Sequence, residues 1–375
     1  MKKLTVFALL LVLCLCLCAC GESEKPDEIA DIPNIDHNIL DADRHLGNSY
    51  ENYSSEETLL VEYGNRIYHA YNSRHEIKEY CTANDKEKSL GIYGTNLSVY
   101  KNVLYYIAED ELSIHAFDLA TSIDSVWITG EEILNKIPKS QHPTHYFSPQ
   151  IGNLLISDYG FSLMLGHIYG YFIHVDFNNN LIMSHYLGYG VSADNCSVVP
   201  ISNTNVIITD MSLSYILSFD LKSLELNQKS TEHMIYKTLS TSNGRLYVVT
   251  ADDRLLFELS SNLCEYKPIT LPQGNLSNLR AVAIHNDRVI YGFVDSLYYD
   301  CSHYFQLGEA DYALAMPDVE LFNITFTSNG LIFAITNDSS ELDYNDSQIK
   351  KYIMANYDFT TTRILDEKYE TFALN

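Results

Sequence analysis

One pattern limits the fold of this chain more than any other: a turn rich in Asn, Gly and Asp, followed by an apolar strand. It occurs as GNRIYHAY (64–71), KNVLYYIA (101–108), GNLLISDY (152–159), NTNVIITD (203–210), NGRLYVVT (243–250), NDRVIYGF (286–293) and NGLIFAIT (329–336). The spacing is roughly 37 to 52 residues, a range in which internal similarity means a propeller or a solenoid. An apolar run precedes several of the turns, as in LRAVAIH before NDRVIYGF, so each turn joins two strands as a hairpin. A third strand follows and ends alike in IHAFDLATS, IHVDFNNN, LSFDLKSL, LFELSSN and NYDFTTT. The acid in each, Asp118, Asp176, Asp220, Glu258 and Asp358, falls where the strand should turn, and a carboxylate there can accept backbone N–H bonds.

The strands are apolar nearly throughout instead of alternating, the pattern expected when both faces of a sheet are covered. Blades sandwiched between neighbours meet that condition. The expectation is therefore an all-β protein, a β-propeller of seven blades with four antiparallel strands each, over residues 58–375. TGEEILNKI (129–137), beside Trp127, is the one fair helix and reads as an inserted loop. The NGRLYVV…LFEL repeat resembles the DUF5050-like propeller domains of lipoproteins from anaerobic Gram-positive bacteria, which are similar to the YWTD propeller of lipoprotein receptors. The chain departs from that pattern: it has no YWTD tetrapeptide, no WD dipeptide and a single tryptophan. The resemblance therefore brings no ligand with it.

The N-terminus fixes an expected location. Lys2 and Lys3 precede an apolar run over residues 4–17, and the charged GESEKPDE follows, which is the grammar of an export signal. Cys14, Cys16, Cys18 and Cys20 alternate, whereas paired thiolates on zinc are usually spaced C-x₂₋₄-C on a turn. Leu17-Cys18-Ala19-Cys20 resembles the lipobox of bacterial lipoproteins. The resemblance implies cleavage of a signal peptide, 1–19, and a diacylglycerol thioether on Cys20, which anchors the protein in the lipid bilayer on the extracytoplasmic side. Residues 20–57 are acidic, with sparse and unperiodic apolar residues, and read as a flexible tether.

Formal net charge is −25, or −27 without Lys2 and Lys3, which opposes nucleic acid and anionic headgroups as partners. Cys81, Cys196, Cys264 and Cys301 lie far apart with no CxxC, and read as free, strand-buried thiols. No HExxH, GxSxG or Gly-rich phosphate loop occurs, so no catalytic residue, metal or cofactor is assigned. HPTH, with His142 and His145, shows no third ligand and reads as a polar loop. His115 and His174 occupy similar places in two repeats and read as architectural. NDSSELDYND (337–346) is oxygen-rich but lacks the spacing of a calcium loop.

The segments 160–170 and 337–347 read as extra loops that interrupt two hairpins in corresponding places, and extra loops on one rim of a rigid ring are a usual place for binding. Tyr159, Phe161, His167 and Tyr169 are the binding candidates. The expected function is a monomeric binding or scaffold module for an envelope or extracellular protein or glycan. A lyase or hydrolase with its site in the central funnel is the alternative. A solute receptor of the alternating strand–helix type would need helices that the sequence lacks.

Overall fold

The computed structural model describes residues 52–54, 60–71, 75–84, 86–142, 147–193, 195–241, 244–251 and 255–269, and from residue 279 onward the strands. The signal, Cys20, most of the tether, His145, Asp358 and the stretch 338–349 lie outside the described residues.

The strands group in chain order into antiparallel sheets. Sheet 1 is Leu60–Tyr63, Arg66–Tyr71, Glu76–Cys81 and the front of a long strand, Lys86–Tyr100; sheet 2 is the back of that strand, Val103–Ala108, Ser113–Asp118 and Ile123–Thr129. Sheet 3 is Ile151–Ser157, Gly160–Leu165, Tyr169–Val175 and Leu181–Tyr189; sheet 4 is Ser197–Pro200, Asn205–Thr209, Tyr215–Asp220 and Leu226–Ser230. Sheet 5 is Ile235–Ser240, Leu246–Thr250, Leu256–Leu259 and Tyr266–Ile269. Sheet 6 is Leu279–His285, Arg288–Val294, Asp300–Gln306 and Tyr312–Pro317. Sheet 7 is Glu320–Phe326, Leu331–Asn337, Lys350–Asn356, Thr362–Leu365 and Glu370–Phe372. The all-β propeller read from the repeats is the observed fold.

The core explains why the strands carry apolar residues at consecutive positions. In the second strand of sheet 4, Val206 and Ile208 pack towards sheet 3 with Leu155, Met164 and Phe172. Ile207, between them, packs the other way with Val248 and Phe257 of sheet 5. Tyr105 and Ile107 of sheet 2 meet Phe161, Leu163 and Tyr171 of sheet 3 in the same manner. Alternate side chains thus serve two different neighbours, so a strand covered on both faces loses its polar half.

The first strands of successive sheets lie nearest one another around the ring. Polar bonds cross from sheet 4 to sheet 5: the Thr238 N–H donates to Ser197 Oγ at 3.2 Å between first strands, and Thr209, at the end of the second strand of sheet 4, bonds Thr238 at 2.8 Å. The short strand Asn52–Ser54 pairs with the first strand of sheet 6 and approaches the first strands of sheets 5 and 7. The folded domain therefore begins before the boundary at 58 read from the sequence, because backbone pairing needs no apolar run to announce it.

Sheet 3 corrects the reading of its repeat. Gly152 and Asn153 do not form the hairpin turn; they lie inside the first strand, at a register shift where Asn153 has φ +51°. Gly and Asn tolerate that conformation in a bulge as they do in a turn, so the same dipeptide served a different purpose. The hairpin turn is Asp158–Tyr159, and 160–165 is the second strand of the blade and not an inserted loop.

The third-strand acids close turns as expected in three sheets. Asp118 accepts the N–H groups of Ala120 and Thr121, and Asp220 those of Lys222 and Ser223. Asp176 accepts the Asn178 and Asn180 N–H groups. Glu258 is different: it lies within its strand and pairs with Arg245 at 2.8 Å and Lys267 at 3.5 Å. Ser260 takes the turn position there, its hydroxyl accepting from the Glu265 N–H at 2.9 Å.

Cys81, Cys196 and Cys264 are free thiols, but only Cys196 is buried and Cys264 is exposed. Cys264 sits in the turn that Ser260 closes, so its small size serves a loop and not a strand.

Candidate functional site

Antiparallel order sorts the connections onto two rims. Turns between first and second strands, and between third and fourth, share one rim; turns between second and third strands share the other with the links from sheet to sheet. The sequence-derived candidates divide between these rims. Tyr159, 36% exposed, stands on the first, whereas His167 is exposed on the turn between second and third strands, on the second. The strand Gly160–Leu165 separates them by about 20 Å at a rise near 3.3 Å per residue. Phe161 belongs to neither rim. It is 0% exposed, stacked on Trp127 at 3.8 Å and edge-on to Tyr105 and Phe177, so it is a core residue of the interface between sheets 2 and 3. In sequence its strand reads as an insertion, which makes Phe161 look like a loop residue; the pairing of 160–165 with 151–157 places it in the sheet.

His167 and Tyr169 are joined by residues that the repeat pattern did not single out. In sheet 3, Tyr169 lies directly across from Tyr189 and Tyr171 from Tyr186. Directly opposed residues share a face, so these four tyrosines form one ladder. Tyr186 and Tyr189 are three apart and would alternate faces in a regular strand. A register shift that leaves Leu187 unpaired brings them to the same side and turns Leu187 into the core shared with sheet 4. The ring centroids of Tyr169 and Tyr189 are 5.4 Å apart, tilted by 59°, and those of Tyr171 and Tyr186 are 5.1 Å apart.

Exposure rises along the ladder. Tyr171 is covered, its hydroxyl donating to the Gln141 carbonyl and its ring edge-on to Phe147. Tyr186 is 44% exposed and Tyr189 is 74% exposed. Tyr189 sits between Gly188 and Gly190, whose φ values of +127° and +88° suit no other residue well. A Cβ on Gly188 would meet nothing within 4 Å, so open space lies beside the tyrosine. The signal for this site was in the sequence as Gly-Tyr-Gly, residues 188–190.

The floor of the shelf comes from the link between sheets 2 and 3. Helix α1, Gly130–Lys136, is the helix expected here, with a capping box in which Thr129 and Glu132 bond reciprocally. After it, Gln141 binds Ser184 at 3.0 Å as well as Tyr171, and His142 donates from Nε2 to the Ile137 carbonyl at 3.0 Å. His142, the one described residue of the HPTH motif, thus has its ring nitrogen engaged in holding the link.

Burial pushes the Tyr171 hydroxyl up to about 12, with Tyr186 adding to the shift, and burial likewise raises Tyr186. Both phenols stay protonated at neutral pH and can donate hydrogen bonds. Residues 166–171 and 186–191 carry no Lys, Arg, Asp or Glu. The shelf is aromatic and hydroxyl-bearing.

Two contacts elsewhere join groups that serve as nucleophile and base in other proteins, and both are closed from solvent. Ser162 Oγ and His174 Nδ1 are 3.0 Å apart, both buried, and burial pushes the imidazole down to about 4. His174 and His115 are not equivalent: counted back from the turn acids Asp176 and Asp118 they differ by one residue and face opposite sides, His115 outward onto Asp124 at 2.8 Å. The Cys196 thiol donates to buried Asp210 at 3.2 Å, which also accepts the Ser212 N–H and fixes that turn. Among the described residues no three His, Cys, Asp or Glu side chains gather as metal ligands, and no helix is long and apolar enough to cross a membrane.

No protein-family model matches the chain, and no curated protein matches it. Solved structures do. A catalytically inactive virginiamycin B lyase from Staphylococcus aureus, with quinupristin, superposes with a TM-score of 0.52 at 8% identity, covering 78% of this chain and 93% of that one. A chain of the mitotic checkpoint complex gives 0.52 at 10% identity, covering 82% and 92%. The extracellular domain of BT4673 from B. thetaiotaomicron gives 0.53 at 8% identity, covering 87% of this chain and 54% of that one. At these identities the similarity is one of fold: the chain is built like β-propellers.

Proposed function

We propose that this protein is a bacterial lipoprotein, held by acylated Cys20 on the outer side of a membrane, whose propeller is a closed ring of seven blades that binds an envelope or extracellular partner. The tyrosine shelf of sheet 3 is the binding surface. The observation that carries this reading is Tyr189, whose ring stands in solvent between two left-handed glycines. A large apolar ring held out by backbone that only glycine adopts easily costs stability and gains nothing in the fold, whereas exposed aromatic anchors on a rigid scaffold are the usual energetic centre of a binding surface. His167 and Tyr169 contribute to the same surface; Tyr159 does not. The lyase or hydrolase alternative has less to rest on, since the Ser162–His174 and Cys196–Asp210 contacts are both sealed.

Capture from native membranes tests the reading. The full-length chain should retain a partner that the Tyr169→Ala, Tyr189→Ala double variant loses, with both proteins equally folded by circular dichroism. Retention by the double variant would refute it. For the anchor, Cys20→Ala should abolish metabolic labelling by a fatty acid, and undiminished label would refute the assignment.

A further inference from the structure

We infer that the ligand class of the tyrosine shelf is a neutral glycan, bound with a pyranose ring stacked on Tyr189; this rests on the shelf being the binding surface. Three observations bear on it. First, the shelf offers aromatic faces and phenol hydroxyls together: Tyr189, 74% exposed, beside Tyr169 at a centroid separation of 5.4 Å, and Tyr186, 44% exposed, backed by the covered Tyr171 at 5.1 Å. A pyranose has the complementary surface, with axial C–H bonds presenting an apolar face and equatorial hydroxyls around its edge. The face packs on the ring, and the edge exchanges hydrogen bonds with phenol O–H groups and exposed backbone.

Second, the space beside Tyr189 is of the right kind. Gly188 and Gly190 leave it without side chains: a Cβ on Gly188 would touch nothing within 4 Å, and one on Gly190 would meet only Ser212 Oγ at 3.9 Å. Ser212 itself donates to the Gly190 carbonyl at 3.0 Å, which fixes the loop before any ligand arrives. Pre-ordered backbone reduces the ordering cost of binding, which matters most for a small ligand.

Third, charge selects against the main competitors. Segments 166–171 and 186–191 contain no lysine or arginine, and the whole chain carries −25, so phosphorylated, sulfated or uronic ligands meet repulsion with neither side chain there to answer it. A protein partner of ordinary size covers about 800 Å² per side with arginine as well as tyrosine enriched among its anchors, and these segments supply tyrosine and histidine but no arginine.

The test uses the full-length chain in detergent micelles, titrated with cellotriose and triacetylchitotriose as neutral probes and trigalacturonate as the anionic one, followed by saturation-transfer NMR and calorimetry. Saturation transfer to the ring C–H protons of at least one neutral trisaccharide is expected, with affinity falling at least about tenfold in Tyr189→Ala and much less in Tyr189→Phe. Trigalacturonate should bind more weakly than either. Equal binding by Tyr189→Ala, preference for the anionic probe, or no binding of any neutral probe overturns the inference. If neutral sugars fail while membrane capture of a protein still depends on Tyr169 and Tyr189, the glycan assignment falls and the binding surface stands. If capture fails as well, both fall.

Discussion

Phe161→Ala separates core from rim most sharply. The ring is 0% exposed and fills the space between sheets 2 and 3, with Trp127 stacked on it at 3.8 Å, Tyr105 edge-on at 4.9 Å and Phe177 at 5.3 Å. Truncating a buried phenylalanine removes its transfer free energy and leaves a cavity, which together cost about 3–5 kcal/mol. For a domain of about 300 residues the entropy of unfolding is roughly 0.6 kcal/mol per degree, so Tm should fall by about 5–8 °C. Trp127 is the only tryptophan, so its emission reports on this one interface. Its emission should shift to longer wavelength in the variant before any unfolding, because the face stacked on Phe161 becomes open to water. Phe161→Leu, which conserves most of the volume, should cost under about 1.5 kcal/mol. Tyr189→Ala, on an exposed ring, should change stability by less than about 0.5 kcal/mol. A Phe161→Ala protein that melts within a degree of the parent with unchanged emission would refute the packing described for sheets 2 and 3.

Three further outcomes follow from single features. His174 is held neutral by burial, so its folded pKa of about 4 lies below the unfolded value near 6.5 and the unfolded state binds more protons between them. Stability should fall as pH drops from about 6.5 towards 4, by roughly 1.4 kcal/mol per unit from this group, and urea titrations of His174→Gln should lack that part of the slope. Gly160 has φ +132° and a Cβ there would run into the Val175 carbonyl, so Gly160→Ala should destabilise by several kcal/mol, measurable as a lower urea midpoint with an unchanged m-value. Tyr53→Pro places a residue without an N–H in the strand Asn52–Ser54, and should lower Tm and hasten amide exchange at residues 281–283, its pairing partners.

Much of the fold was legible because the ring imposes one requirement on every blade. Strands packed on both faces show as unbroken apolar runs, and hairpin turns show as Asn, Gly and Asp, so fold class and the turn roles of Asp118, Asp176 and Asp220 could be read directly. Register was legible only where those residues did one job. Asn153 takes a left-handed conformation in a bulge, which looks the same in sequence as a turn, and that single ambiguity displaced a strand and turned Phe161 into a loop residue. Glu258 resembled the turn acids because its neighbours aligned, but strand pairing places Ser260 at the turn and leaves Glu258 on the sheet face with Arg245. The shelf was half visible. Tyr169 and His167 stand out in sequence because the segment 160–170 reads as a rim loop, while Tyr186 and Tyr189 join them only through a register shift at Leu187 that no periodicity predicts.

The claim that the tyrosine shelf is where this protein meets its partner is tested most directly by photo-crosslinking on intact cells. Benzoylphenylalanine would replace Tyr189 in one strain and Tyr159, on the opposite rim, in another. The account predicts a crosslinked adduct, of protein or glycan, from position 189 and none from position 159. An adduct from position 159 alone, or equal adducts from both, would contradict it.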